Sequence, residues 1–255
     1  MSRSVSTWRR FVARASSLGF TVHAVAGGPN WTAETHRYLG PMTLQLIADY
    51  NSDVYPEERI RGVQFDIEPY VEDSFRDNME RSLQDYLWTP PDIVDAYEQV
   101  RTWYGNKGLT LGFAIPFWFD GTLEVPAVQF GESEEPKAAA FHLIDMLRNL
   151  PEAYVLVMAY RNHATGDDGS IEHIEREFGY ASHPEVACAC GIVTGQELTD
   201  VRPEPEKLSF WTEGRAAFRQ AVAELTEVYG GLPQFRGISV DDIDTHEEAG
   251  EYGRP

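Results

Sequence analysis

Short apolar runs alternate with stretches of helical periodicity along this chain, and the alternation sets its architecture. Residues 5–19 place Val5, Trp8, Phe11, Val12 and Ala15 at helical spacing and stop at Gly19, a C-cap residue. A strand over 20–26 runs into Gly27-Gly28-Pro29-Asn30-Trp31. A helix over about 41–54 leads through Pro56 to the central run Arg61–Tyr70. An acidic, aromatic segment fills 71–88, and a helix over about 91–105 is opened by Pro90-Pro91 and closed by Gly105. The remaining strands are expected at 109–116, 154–160, 185–192 and 235–241, with helices over about 137–149, 170–178 and 213–229 between them. A Glu- and Pro-rich loop over 121–136 is long enough to form a rim or lid.

Strands that read as apolar runs and alternate with helices predict parallel β/α units. The fold class expected is therefore α/β, a (β/α)8 barrel of the TIM type in one domain, with a short polar tail from about residue 246. Six strands are visible where a closed barrel needs eight, and the chain opens on a helix, so the first two units are absent from the pattern. An open barrel, a barrel closed by a neighbour and a truncated start each imply a different oligomeric state.

In such a barrel the active face lies at the C-terminal ends of the strands. The central run carries Asp66 and Glu68 there, and Pro69, with no N–H to donate, stops the ladder. Residues two apart on a strand share a face, so Asp66 and Glu68 are expected to project together with Gln64 one step behind. Adjacent carboxylates resist double ionisation, which raises one pKa and supplies a general acid. A D-x-E at a strand end also occurs as a plain solvated edge, but Phe65 and Tyr70 beside it point to a pocket. Other strand ends present Trp31, Phe117-Trp118-Phe119-Asp120, Tyr160-Arg161-Asn162, Thr194 with Gln196 and Glu197, and Asp241 with Asp242 and Asp244. Trp31, Tyr70, Trp118 and Tyr160 could stack on sugar rings, or could simply cap a core.

Composition narrows the partners. Of 255 residues, 41 are acidic and 21 basic, a formal charge of -20, and the only lysines are Lys107, Lys137 and Lys207. That balance predicts no nucleic-acid partner and no anionic membrane partner. No apolar segment of spanning length and no h-region after the N-terminus are present, so the sequence as given reads as cytoplasmic and unprocessed. Cys188 and Cys190, two apart, read as small core residues of a strand. Zinc would need a second pair, and a disulfide across one residue would be strained. Gly27-Gly28 has no lysine or further glycines at phosphate-loop spacing. No cofactor and no metal are expected.

Gly62-Val-Gln-Phe-Asp-Ile-Glu68 resembles the D-G-x-D-x-D-x-E strand of family 18 glycoside hydrolases, the chitinases and their relatives, and Met158-Ala-Tyr160 resembles their M-x-Y motif. The chain looks still closer to uncharacterised bacterial and archaeal barrels of that type, through Gly27 to Trp31, Asp66 to Pro69 and Met158 to Arg161. The resemblance spans about residues 20–245. It implies a carbohydrate substrate, with Glu68 as the acid that protonates the glycosidic oxygen. Asp66 would orient an acetamido group attacking its own anomeric carbon, and Tyr160 would help hold that group. Gln64 stands where the family has an inner aspartate, and Arg161 where an aspartate usually follows the tyrosine. Arg161 could instead hold Glu68, Glu197 or an acidic sugar as a bidentate pair. A direct two-carboxylate reaction, with Glu197 or Asp241 as base or nucleophile, is then open. Asp241, where the family usually carries a tryptophan, suggests a polar floor suited to a deacetylated amino sugar, or merely an acidic strand end.

Two other classes compete. A barrel that binds carbohydrate without turning it over would use the same aromatic residues. A metal-dependent hydrolase would draw on His163, Asp167, Asp168 and His173. Their spacing matches no metal motif; Asp167-Asp168-Gly169 reads more simply as a turn, Ser170 as a helix cap and His173 as an exposed helical residue. His23 and His36 read as a packed strand residue and a loop residue.

Overall fold

The computed structural model describes residues 3–103, 108–131, 135–199 and 206–241. They form two compact units: Met1–Ala114 with Pro126–Met146, and Ile115–Val125 with Leu147–Pro255.

The first unit holds helix α1 (Arg3–Ser17), strand β1 (His23–Ala26), α2 (Leu39–Ser52), β2 (Gly62–Asp66), α3 (Asp73–Asp77), α4 (Met79–Leu87), α5 (Thr89–Trp103), and all but the last residues of β3 (Thr110–Pro116) and α6 (Ala139–Leu147). The strands are parallel and adjacent in chain order, with Val25 opposite Gln64 and Phe65 opposite Phe113. The apolar face of α2, Leu44, Ile47 and Ala48, is buried at helical spacing and continues into the buried Asn51. Asn51 donates to Ile60 O and accepts from Ile60 N–H, both at 2.9 Å, which fixes the entry to β2. Tyr97 does the same for β3 by donating its hydroxyl to Leu109 O at 2.7 Å. Gly62 leaves room for the ring of His23, since a Cβ there would lie 2.6 Å from its Nδ1. Burial lowers the pKa of that histidine, in keeping with its reading as a packed strand residue.

The second unit holds β4 (Ala153–Met158), α7 (Glu175–Ser182), β5 (Gly191–Glu197), α8 (Gly214–Tyr229) and β6 (Phe235–Asp241), the strands again parallel and in chain order. Tyr229 of α8 stacks on Phe178 of α7 at 4.2 Å and donates to Ile171 O at 3.1 Å. Burial, with the charges of Glu175 and Glu177 adding to it, pushes this phenol up to about 12.

The protein is thus an α/β fold with six parallel strands, three in each run, and no closed eight-stranded ring among the described residues. No helix among the described residues is long and apolar enough to cross a membrane. Several expected elements differ. The segment 71–88 contains two short helices, which its charge masks. The expected strand 185–192 begins at Gly191 instead, and the cysteines precede it. Ala187, with φ 45°, interrupts any extended run there. Cys188 and Cys190 are joined as a disulfide with Cα atoms 5.4 Å apart, so they are not free core thiols on one strand face. The helix expected at 170–178 starts at Glu175, and Ser170 is no cap: it is buried, with its hydroxyl 3.0 Å from both Ala159 O and Gln196 Oε1, between which it shares its one proton. Gly105, Asp242, Asp244 and the tail from 246 lie outside the described residues.

Candidate active site

In the first unit the ends of β1 and β2 bring together Trp31, Asp66, Glu68 and Tyr70. The close approach is built into the backbone: a Cβ on Gly27 would lie 1.8 Å from the carbonyl oxygen of Asp66, so only glycine fits there. Trp31 sits on the 3-10 turn Pro29–Thr32, which packs against the turn Pro69–Val71 that carries Tyr70. The Trp31 ring lies 6.4 Å from Phe65, and Phe65 lies 5.7 Å from Phe113, so the aromatic group is rooted in the core. The ladder ends at Asp66, one step sooner than the sequence suggests, and Glu68 is the residue that opens the next turn. Strand alternation therefore does not by itself place Glu68; Pro69 and the turn do. The Tyr70 hydroxyl donates to Glu68 Oε1 and fixes that carboxyl. Tyr86, fully buried, has its pKa raised by burial and further by the negative charge of Asp66. Gln64, half-buried on β2, lies between Val25 and Gly112 in register.

In the second unit Glu197 and Asp241 stand opposite each other in register at the ends of β5 and β6. Burial raises the pKa of Glu197, and Asp241 raises it further. Two hydrogen bonds from Thr199, N–H at 2.7 Å and the side-chain hydroxyl, oppose that shift. Tyr160 follows β4 with its ring against Gly195, where a Cβ would come within 3.1 Å. Trp118 is half-buried in the turn Phe117–Asp120, edge-on to Phe119 at 4.9 Å.

Arg161 pairs with Asp168. Its Nε and second terminal nitrogen both lie 2.9 Å from Asp168 Oδ1, its other terminal nitrogen donates to Tyr160 O at 2.6 Å, and its plane lies over Phe117 at 4.9 Å. His173 Nε2 at 2.8 Å and Lys207 Nζ at 2.7 Å complete three donors around that carboxylate; Arg161 and Lys207 are cationic, while burial lowers the pKa of His173. Partial burial alone would raise the Asp168 pKa, but bonds from Lys207, His173 and Arg161 outweigh it and hold the group far below the usual carboxylate range. Of the four candidate ligands, Asp168 and His173 belong to this ion-pair hub, while the His163 ring meets Asn162 Oδ1 and the Asp167 carbonyl oxygen; no grouping of three potential ligands occurs among the described residues. His173 is not an exposed helical residue: it lies ahead of α7, half-buried, with its ring 3.9 Å from Phe117.

The sequence reading misses a second acidic pair. Glu177 on α7 is fully buried with no hydrogen-bond partner for either carboxyl oxygen, and Asp120 is also buried. Asp120 accepts from Thr122 N–H at 2.8 Å and faces Arg176 at 3.7 Å. Burial, then the charge of Asp120, pushes the Glu177 pKa well above its ordinary value. A signal is present in the sequence, because Ile174, Glu177, Phe178 and Ala181 share one helical face, and three of the four are apolar.

No protein-family profile matches the chain, and no curated protein matches it. Among solved structures it is similar to the spore cortex-lytic enzyme SleL of Bacillus megaterium QM B1551, at 12% identity and a TM-score of 0.45 over 93% of this chain and 60% of that one. The chain thus spans 60% of the length of that relative. It is also similar to dihydropteroate synthase of Thermus thermophilus in complex with 6HMPPP, at 12% identity and a TM-score of 0.30 over 90% and 91% of the two chains.

Proposed function

We propose that the protein is a glycoside hydrolase in which Glu68 protonates the leaving oxygen and Asp66 assists at the anomeric centre. The observation that carries the reading is the grouping of Asp66, Glu68, Tyr70 and Trp31 where β1 and β2 end, with the Tyr70 hydroxyl bonded to Glu68. A carboxyl held by a phenol has a fixed direction, which a general acid requires before its pKa matters. Trp31 is partly exposed on the adjoining turn and offers a face for a sugar ring. Arg161 takes no part in the chemistry in this reading, because Asp168 and Tyr160 O already take its donors.

The test is turnover of chitin-type, deacetylated and neutral oligosaccharides by the wild type and by Glu68→Gln, with binding recorded in the same samples. Hydrolysis of one member, lost about a thousandfold or more in Glu68→Gln while binding persists, is the expected result. Binding without turnover in both proteins would replace the hydrolase with a carbohydrate-binding protein.

A further inference from the structure

Four large apolar side chains stand exposed close together near the start of the chain, Trp8, Phe11, Leu18 and Phe20, on α1 and the turn after it. They are 61%, 55%, 57% and 66% exposed. On α1, Trp8, Phe11 and Ala15 follow one another at spacings of three and four, and Leu18 continues the row, so they form one stripe along the helix. The helix is seated on the unit by its neighbouring side. Val12 is buried, and Arg9 bonds Glu58 at 2.7 Å and 3.1 Å, which leaves the stripe facing out. Trp8 and Phe11 pack edge to face at 5.9 Å, so the stripe is ordered before anything covers it.

Charge says what covers it. Residues 3–17 contain four arginines and no acid, in a chain whose net charge is -20. Arg10 and Arg14 are exposed and lie on the helix beside the stripe. A second copy of α1 would bring arginines against arginines, which disfavours self-pairing. A surface that is anionic outside and apolar beneath satisfies both features together. The geometry points to α1 as a peripheral anchor that lies in the interface of an anionic lipid bilayer, its aromatic stripe among the upper acyl chains and Arg10 and Arg14 among the headgroups. The composition of the helix and the turn after it, Trp8, Phe11 and Leu18 along one stripe with arginines beside it, is that of interfacial helices. The acidity of the rest of the chain does not forbid this at physiological salt, where charges more than about 8 Å from the headgroups are largely screened. The whole-chain charge that predicts no membrane partner averages away the basic charge of α1.

The experiment is co-sedimentation of the full chain with vesicles of phosphatidylcholine alone and of phosphatidylcholine with phosphatidylglycerol, at low and high salt, alongside the mass of the free protein in solution. Wild type should sediment with the anionic vesicles only, and less at high salt. Arg10→Glu with Arg14→Glu should weaken that binding by on the order of thirtyfold, since each arginine near an anionic surface contributes about a factor of five. Trp8→Ser with Phe11→Ser should weaken it at both salt concentrations. Met42→Ser with Leu46→Ser, on the exposed side of α2 where no arginine or lysine lies, should leave it unchanged and controls for loss of apolar surface. All these side chains are exposed, and an unchanged far-ultraviolet dichroism spectrum verifies each fold. Failure of the wild type to sediment with anionic vesicles would overturn the proposal. So would a dimer in solution that Trp8→Ser with Phe11→Ser dissociates, which would give the stripe to a second copy.

Discussion

Two carboxylates of the second unit meet opposite fates. Asp168 is partly exposed and held by two cations, Arg161 and Lys207, and by His173, and its pKa lies far below the usual range. Glu177 is fully buried, has no hydrogen-bond partner and stands near another acid, and its pKa lies far above. Partners decide the first and burial decides the second. The contrast shows why a motif alone does not find the perturbed acids of a fold. The sequence offers Asp168 as a possible metal ligand or, more simply, a turn residue and does not single out Glu177, yet these two are among the most strongly shifted carboxyls.

Breaking the hub should have the largest effect. Asp168→Asn leaves the buried Arg161 guanidinium without its counter-charge, a change that costs about 3–5 kcal/mol for a wholly buried pair. Asp168 itself is 41% exposed, so solvent screening reduces the expected loss to about 2–3 kcal/mol. The sign with pH follows from a depressed pKa: the contribution is present above the unfolded value of about 3.9 and is lost as pH falls through the folded value. Urea unfolding from pH 2 to 8 should show the wild type and Asp168→Asn converging below about pH 4. Equal stability of the two proteins at pH 7 would demote the hub to a surface ion pair.

Glu177 should behave in the opposite sense. Its raised pKa means that the folded state holds a proton the unfolded state releases above about 4.3. Stability is then fully present below that pH and falls by about 1.4 kcal/mol per pH unit until the folded pKa is reached. Glu177→Gln keeps the shape without the ionisation, so its stability relative to wild type should rise steadily with pH above about 4.5. The groups facing Glu177 that could distort the slope are Asp120, Arg176 and Tyr229. A difference that stays flat from pH 4 to 8 would mean that Glu177 is charged in the folded protein.

Much of this is legible in the sequence and some is not, for reasons that differ by element. Five of the six strands follow from apolar runs, which parallel strands make continuous because both faces are covered. The last run predicts β6 at Phe235–Asp241, where it forms. β5 is harder to place because two cysteines and two alanines look apolar enough to be a strand, whereas the strand that forms, Gly191–Glu197, includes two glycines, a threonine and a glutamine. Charge hides α3 and α4, though Phe75, Leu83, Tyr86 and Leu87 form their buried side. Of the candidate site, Trp31, Asp66, Glu68 and Tyr70 can be grouped because they lie close in sequence to two adjacent strand ends. The partner of Arg161 cannot be found that way. Asp168 lies seven residues on, past β4, in a turn with φ 60°, and only the fold decides that it, rather than Glu197, faces the guanidinium.

The smallest effect expected concerns Glu197, whose position between the two extremes makes it the finest probe of the same rule. Burial and Asp241 push its pKa up while the N–H and hydroxyl of Thr199 pull it back. Thr199→Val removes the hydroxyl donor, keeps the branched shape and leaves the N–H in place. The Glu197 pKa should therefore rise further, since a single neutral donor to a carboxylate contributes on the order of 1 kcal/mol. Carbon-detected titration of the side-chain carboxyl in wild type, Thr199→Val and Asp241→Asn would separate the two influences. Asp241→Asn should move the value down and Thr199→Val up. If both variants move it the same way, the balance of burial against donors does not govern this acid, and the register pairing of Glu197 with Asp241 has no electrostatic consequence.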